Sequence, residues 1–277
     1  MSTDGFVLKD FNHTQDQRNS KQKREEVTRL VNSHIDAALV KEHQAEQQRA
    51  YNISPSSIGD DCLRRIQYQT TRAPAPPPSG KLLRIFARGH IFEDYVVGLM
   101  WKAGFELKVT NPDDNDRQYG FQIANGQIRG RLDGIIMSGP YIPGLLYPCV
   151  WECKALGAKG FNNVVAKGVT EAYPKYAAQG FMYQAYMELE NPELYSVLNA
   201  DTMDLHHEAV PFDVERAQWA SDRGVTVLEA NRCGELLARA GSDPEKYPCK
   251  FCDFRDHCWN DDTPLGGELG PVRRGGQ

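Results

Sequence analysis

One stretch constrains the fold more than any other. Leu145-Leu146-Tyr147-Pro148-Cys149-Val150-Trp151 is a short apolar run that stops abruptly at Glu152-Cys153-Lys154. The run reads as a buried strand. Strand side chains alternate with period two, so Glu152 and Lys154 share one face. A bare Glu-x-Lys is ordinarily a solvated pair on an edge strand. At the end of a buried run, ionisable groups are costly unless they bind something.

The rest of the chain alternates helical and strand periods around this stretch. Leu30, Val31, His34, Ile35 and Ala38 recur at helical spacing, which predicts a helix over about 23–51. Ser54 or Ser56 is a fitting N-cap for a short helix carrying Cys62. The proline-rich segment 73–80 is an extended connector. A helix follows over about 81–103, with His90 and Glu93 one turn apart on a shared face. Strands are expected over 117–124, 127–137 and 146–155, with Asn125-Gly126 as a type I′ hairpin signal. A helix over about 173–189 brings Gln179 and Tyr183 together at i,i+4, and strands near 195–200 and 205–212 and a long helix over 214–240 complete the order. The fold class is therefore α/β, with a mixed sheet and helices before and after the strands.

Hydrolysis of a phosphodiester needs a neutralised phosphate, an activated water and a stabilised leaving oxygen. A hard divalent ion such as Mg²⁺ or Mn²⁺ supplies much of this and prefers oxygen ligands. Asp133, in Ile128-Arg129-Gly130-Arg131-Leu132-Asp133-Gly134, and Glu152 can present two such oxygens from neighbouring strands. The carbonyl of Cys153 is a natural third, and Lys154 can orient water or hold phosphate. For Gln179 and Tyr183 the alternatives are a strand-capping amide and a core ring. From Cys62 to Phe92 the chain is basic without a single acid, and Arg64, Arg65, Arg84 and Arg88 are candidate strand contacts. A second basic series, Lys154, Lys159, Lys167 and Lys175, follows the centre.

On these residues the sequence resembles the PD-(D/E)XK nucleases, and within them the RecB-type branch that includes the Cas4 exonucleases, the AddB nuclease domain and phage exonucleases. Gly-x-x-Asp stands as Gly130-Arg131-Leu132-Asp133, Glu-x-Lys as Glu152-Cys153-Lys154, and Gln-x-x-x-Tyr as Gln179-Gly180-Phe181-Met182-Tyr183. The resemblance runs from about Ser54 to Cys258. It implies a restriction-endonuclease-like core and a metal-dependent DNA exonuclease, with Gln179 and Tyr183 handling the strand. It departs upstream, where the family's Gly-x-x-x-His is Gly89-x-x-x-Glu93, with His90 directly after the glycine. On the resemblance Glu93 replaces the histidine as an oxygen ligand of the metal, directly or through water, and His90 supports it; the alternative for either is a helix-surface residue.

Cys249-x-x-Cys252 followed by Cys258 places three thiolates in one short segment, a common metal knuckle. Three ligands need a fourth. The resemblance supplies it, because cluster-bearing RecB-type nucleases use one cysteine before the nuclease core and three after it, and Cys62 stands in that position. It implies a structural [4Fe-4S] cluster tying the two ends of the domain together. The rival is Zn²⁺, held by the four cysteines or with His257 replacing one.

The boundaries that follow are a polar, partly helical extension over 1–50, a nuclease domain over 51–260 closed by the cysteines, and a disordered tail over 261–277. No apolar run in the 277 residues approaches the ~20 needed to span a bilayer, and the first residues lack a signal-peptide pattern, so a cytoplasmic protein with reduced thiols is expected. A net charge of -5 argues against coating nucleic acid by bulk electrostatics. DNA with a single-stranded end is the expected substrate. No phosphate-binding glycine loop is found, so any unwinding is expected to come from a helicase partner. The resemblance implies a recombinase or integrase-type partner as well, since cluster-bearing relatives often work inside larger recombination, repair or spacer-acquisition machines. An assembly subunit with little cutting of its own, and an endonuclease of the same fold, are the alternatives.

Overall fold

The computed structural model describes residues 17–46, 51–115 and 117–260. They divide into two compact units. The first comprises α1 (Gln17–Glu46) and residues 77–85, which include the first turn of α4 (Gly80–Lys102). Arg84 forms an ion pair with Asp36, and the backbone of Gly80 lies against the same Asp36 side chain. The expected extension over 1–50 therefore leaves out a segment that clusters with it. Leu30, Val31 and Ile35, large apolar residues behind the helix prediction, are exposed on α1. The expected tail over 261–277 lies outside the described residues.

The second unit holds the sheet. In chain order it contains α2 (Pro55–Ile58), α3 (Leu63–Thr70), the remainder of α4, β1 (Glu106–Lys108), β2 (Thr110–Asn111), β3 (Arg117–Gln118), β4 (Gly120–Ile123), β5 (Ile128–Arg131), β6 (Gly134–Ser138) and β7 (Cys149–Leu156). After these come α5 (Ala158–Lys167), α6 (Val169–Ala172), α7 (Pro174–Tyr186), β8 (Glu193–Asn199), β9 (Leu205–Val210), α8 (Val214–Cys233) and α9 (Arg255–Trp259). Five strands form one sheet in the order β1-β6-β7-β8-β9. Only the β7–β8 pair is parallel, and the other neighbours are antiparallel. The chain is thus a mixed α/β protein with a central five-stranded mixed sheet flanked by helices. The parallel pair requires a crossover, and α5, α6 and α7 supply it. The sequence reading anticipates only the last of these.

β7 is central and alternates as its period demands. Cys149, Trp151 and Cys153 pack with Val96, Met100 and Ile136 on one face. Val150 packs with Tyr183, Leu132 and Ile135 on the other, which places Glu152 and Lys154 on the face covered by α7. β8 is buried along its whole length, as a central strand flanked by helices must be.

The expected strand over 127–137 is two strands. β5 pairs with β4 in a separate ribbon, whereas β6 joins β1 and β7 in the main sheet. The chain changes partner at Leu132-Asp133, where the Leu132 amide already bonds Tyr119 O at 2.9 Å. Asp133 therefore stands in the break between strands. Asn125 and Gly126 have φ of 55° and 78°, and Gln127 N donates to Ala124 O at 3.1 Å, as a type I′ turn requires. Cys62 does not lie in the short helix but immediately precedes α3, at its N-cap. α8 ends at Cys233 because Gly234 adopts a left-handed conformation, φ 72°, rather than continuing to residue 240.

Candidate metal centre and cysteine cavity

The β6–β7 ladder ends at the pair Gly134–Trp151. Two residues beyond Trp151, past the end of that ladder, the Cys153 amide donates to Asp133 Oδ2 at 2.9 Å. The switch of sheets after β5 thus aims the carboxylate at β7. Lys154 Nζ pairs with Glu152 Oε1, lies 3.7 Å from Asp133 Oδ2 and donates to Cys153 O at 3.3 Å. From α7, Gln179 Nε2 donates to Glu152 Oε1 at 2.7 Å and to the Tyr183 hydroxyl at 3.2 Å. Tyr183 in turn donates to Arg131 O at 2.5 Å, fastening the end of β5 to the helix. Gly130 is needed here, since a Cβ would stand 2.6 Å from Phe121 Cε1 and 2.8 Å from Tyr183 Cε1.

The charges do not balance. Glu152 is 0 % exposed, and its Oε2 has no hydrogen-bond partner among the described residues. Burial, then the charge of Asp133, push its pKa well above the usual carboxylate range. Glu93 is raised to about 7, by burial first and by Asp133 next. Although burial works against its charge, the carboxylates of Glu152 and Asp133 hold the Lys154 ammonium well above its ordinary pKa. Three carboxyls thus face one ammonium, an excess that a divalent cation would offset. The orphaned Glu152 Oε2 and the hard oxygen donors fit Mg²⁺ or Mn²⁺. Among the described residues, however, no three His, Cys, Asp or Glu side chains are already gathered to hold an ion. Lys154 occupies Glu152 Oε1, so a cation would have to displace it or take Oε2.

His90 does not join this group. Its side chain is 82 % exposed and only 3.8 Å from the Glu93 carboxylate, which faces inward from the same helix. The i,i+3 spacing cannot by itself say which of the two turns inward.

The DNA contacts expected from sequence are corrected in part. Arg64 is spent inside the protein, with Nε on Leu237 O and Nη1 3.7 Å from Cys258 Sγ. Arg65 pairs with Asp60 at 2.8 Å and Asp253 at 3.2 Å. A basic run is read as a charged surface, but here short helix α3 turns both guanidiniums inward. Arg84 belongs to the first unit and pairs with Asp36. Arg88 is half-buried, with Nε unpartnered among the described residues. Arg129 and Arg131 are exposed on β5 just before Asp133. Their alternation with Ile128 and Gly130 is the sequence signal that could have found them. Glu193, fully buried beneath α7 and raised to about 8 by burial, carries no such signal.

The four cysteines share one cavity wall, although among the described residues no three of them are already gathered to hold an ion. Cys62, Cys249, Cys252 and Cys258 line one cavity of about 30 Å³, all as free thiols. Burial raises the Cys252 thiol, while the Phe254 amide and Arg65 oppose that. Four soft donors around one space, with Arg64 and Arg65 beside them, fit a thiolate-ligated metal or cluster. His257 stands outside the lining and packs edge-on against Tyr68, centroids 4.9 Å apart.

Fold and site together define a class: mixed α/β proteins that gather carboxyls, a lysine and an amide on the helix-covered face of a central strand. No family model matches the sequence, and no curated protein matches it. Seven solved chains match the fold. One, a crystal structure of SSO0001, is 15% identical with a TM-score of 0.46, over 84% of this chain and 98% of its own. Another, an alkaline exonuclease (LHK-Exo) from Laribacter hongkongensis, is 11% identical with a TM-score of 0.46, over 71% of this chain and 91% of its own. No helix among the described residues is long and apolar enough to cross a membrane.

Proposed function

We propose that this chain is a divalent-metal-dependent DNA exonuclease of the RecB/Cas4-like branch of the PD-(D/E)XK nucleases, with a structural [4Fe-4S] cluster at its four cysteines. The observation that carries the reading is one set of contacts. Asp133 lies on the Cys153 amide, and Glu152 lies between Lys154 and Gln179, with its other oxygen unpartnered among the described residues. Glu93, Asp133, Glu152 and the carbonyl of Cys153 would hold Mg²⁺ or Mn²⁺, which supplies charge neutralisation at the scissile phosphate.

The chain's own groups do the rest. Lys154 stays protonated beside two carboxylates, so it orients the attacking water and offers a positive charge to a phosphate oxygen. Gln179 fixes the orientation of Glu152, and Tyr183 ties the helix to the strand before Asp133. Arg88, Arg129 and Arg131 remain as contacts for the DNA backbone.

The test uses anaerobically purified protein and end-labelled single- and double-stranded DNA, with Mn²⁺ or EDTA, comparing wild type with Lys154→Ala. Metal-dependent release of label by wild type alone is expected, and the product ladder separates exonuclease from endonuclease. DNA binding and a full cluster without cleavage under any metal would make the chain an assembly subunit instead.

A further inference from the structure

Asp60 stands between the cysteine cavity and the helix that holds Glu152. It is 9 % exposed, and its two carboxylate oxygens take different partners. Oδ1 accepts the amide of Cys62 at 3.2 Å. Oδ2 takes Arg65 Nη1 at 2.8 Å and Lys175 Nζ at 3.1 Å. Arg65 continues to Asp253 Oδ2 at 3.2 Å, in the turn directly after Cys252. Both segments that supply cysteines therefore bear on one carboxylate.

Lys175 carries the connection onward. It lies four residues before Gln179 and eight before Tyr183 on α7, so the three side chains form one stripe along the helix. The backbone is in close contact as well. A Cβ on Gly59 would stand 2.6 Å from Lys175 Cα, so the loop before Cys62 rests directly on the first turn of α7. Arg223 clamps that loop from α8, donating to Ile58 O at 2.8 Å and to Asp60 O. One line of contacts runs from Asp253 through Arg65 and Asp60 to Lys175, and along α7 to Gln179 and Glu152.

We propose that Asp60 is a positioning residue. Through Lys175 it sets where α7 presents Gln179 to Glu152, according to whether the four cysteines hold their metal or cluster. The inference rests on the proposed carboxylate centre and adds a coupling between that centre and the cysteine site. A thiolate-bound group would order the segments around Cys62 and Cys252, and with them the two groups that fix Asp60. A buried carboxylate shared by two cations has little freedom to move independently of either. The coupling is reciprocal, because each site must change the other's affinity by the same factor.

The experiment measures Mn²⁺ affinity by electron paramagnetic resonance, before and after the cysteine-held metal is stripped, in wild type, Lys175→Met and Lys175→Arg. Wild type should bind Mn²⁺ at least about fivefold more tightly with the cysteine site loaded. Lys175→Met should lose that ratio, and Lys175→Arg should restore it. A purely structural lysine would lower stability and leave the ratio intact. A wild-type ratio of one, or a Lys175→Met ratio equal to wild type, overturns the proposal. If stripping unfolds the chain, the loaded proteins decide. Lys175→Met and Asp60→Asn must then weaken Mn²⁺ binding about fivefold at unchanged iron or zinc content, and unchanged affinity overturns the coupling. Absence of Mn²⁺ binding in every form would overturn the carboxylate centre itself, and the coupling with it.

Discussion

Gln179 Nε2 sits 2.7 Å from Glu152 Oε1, joining α7 to the central strand at a carboxylate with no exposure to water. The amide is the only neutral donor on that oxygen among the described residues, the other being the Lys154 ammonium. Gln179→Leu removes the donor at nearly constant volume. Loss of such an orienting partner costs a metal site about 10–100-fold in affinity or activity. Cleavage should fall by that order, with most of the loss recovered at high Mn²⁺. An unchanged Mn²⁺ dependence would show that Gln179 only packs.

Glu93 makes metal binding depend on pH. Its ordinary pKa is 4.5, and burial followed by the Asp133 charge raises it to about 7. In the metal-free protein the folded state thus holds this proton more tightly than the unfolded chain does. That contribution to stability is complete below about 4.5 and is lost as pH rises through about 7. A metal needs the ionised form, so the sign for binding is the reverse. Mn²⁺ affinity should climb as pH rises through about 7, with proton release visible by calorimetry in two buffers. Glu93→Gln should make the slope shallower, leaving the part that Glu152 contributes, and a slope equal to wild type would place Glu93 outside the ligand set.

Gly130 lets Phe121 and Tyr183 close over the strand that leads into Asp133. Gly130→Ala places a methyl within 2.6 Å of one ring and 2.8 Å of the other. Overpacking of this kind costs about 1–3 kcal/mol. Thermal unfolding should drop accordingly, and cleavage should fall further than stability because the Tyr183 contact to Arg131 O shifts. Wild-type stability would mean that the rings move aside freely.

Cys62 belongs to the cysteine cavity although it lies far from the other three in sequence. Closing a long loop through a bound metal restricts the unfolded chain. Cys62→Ser should therefore lose the visible absorbance and iron of the anaerobic protein and unfold at lower temperature. Iron content equal to wild type would exclude Cys62 as a ligand. Stoichiometric zinc and no iron in wild type would replace the cluster with a zinc site.

Much of the centre is legible because its cues are local. Period two puts Glu152 and Lys154 on one face, and i,i+4 spacing puts Gln179 and Tyr183 on another. The hairpin at Asn125-Gly126 follows from two residues that tolerate positive φ. The errors share one cause. Whether His90 or Glu93 turns inward, and whether Arg64 and Arg65 meet solvent or Asp60 and Leu237 O, depends on elements distant in sequence. The break at Leu132-Asp133 depends on which sheet each half of the segment joins.

The sequence by itself determined the helix and strand periods, the buried strand ending in an acid and a lysine, and the soft and hard donor sets. These follow from side-chain chemistry and spacing within a few residues. Only the tertiary structure decided that Asp133 reaches the Cys153 amide and that four cysteines line one cavity. It also decided that Asp60 sits between that cavity and α7. Each depends on long-range packing, where burial makes an unpaired charge costly and so selects partners that no local pattern encodes.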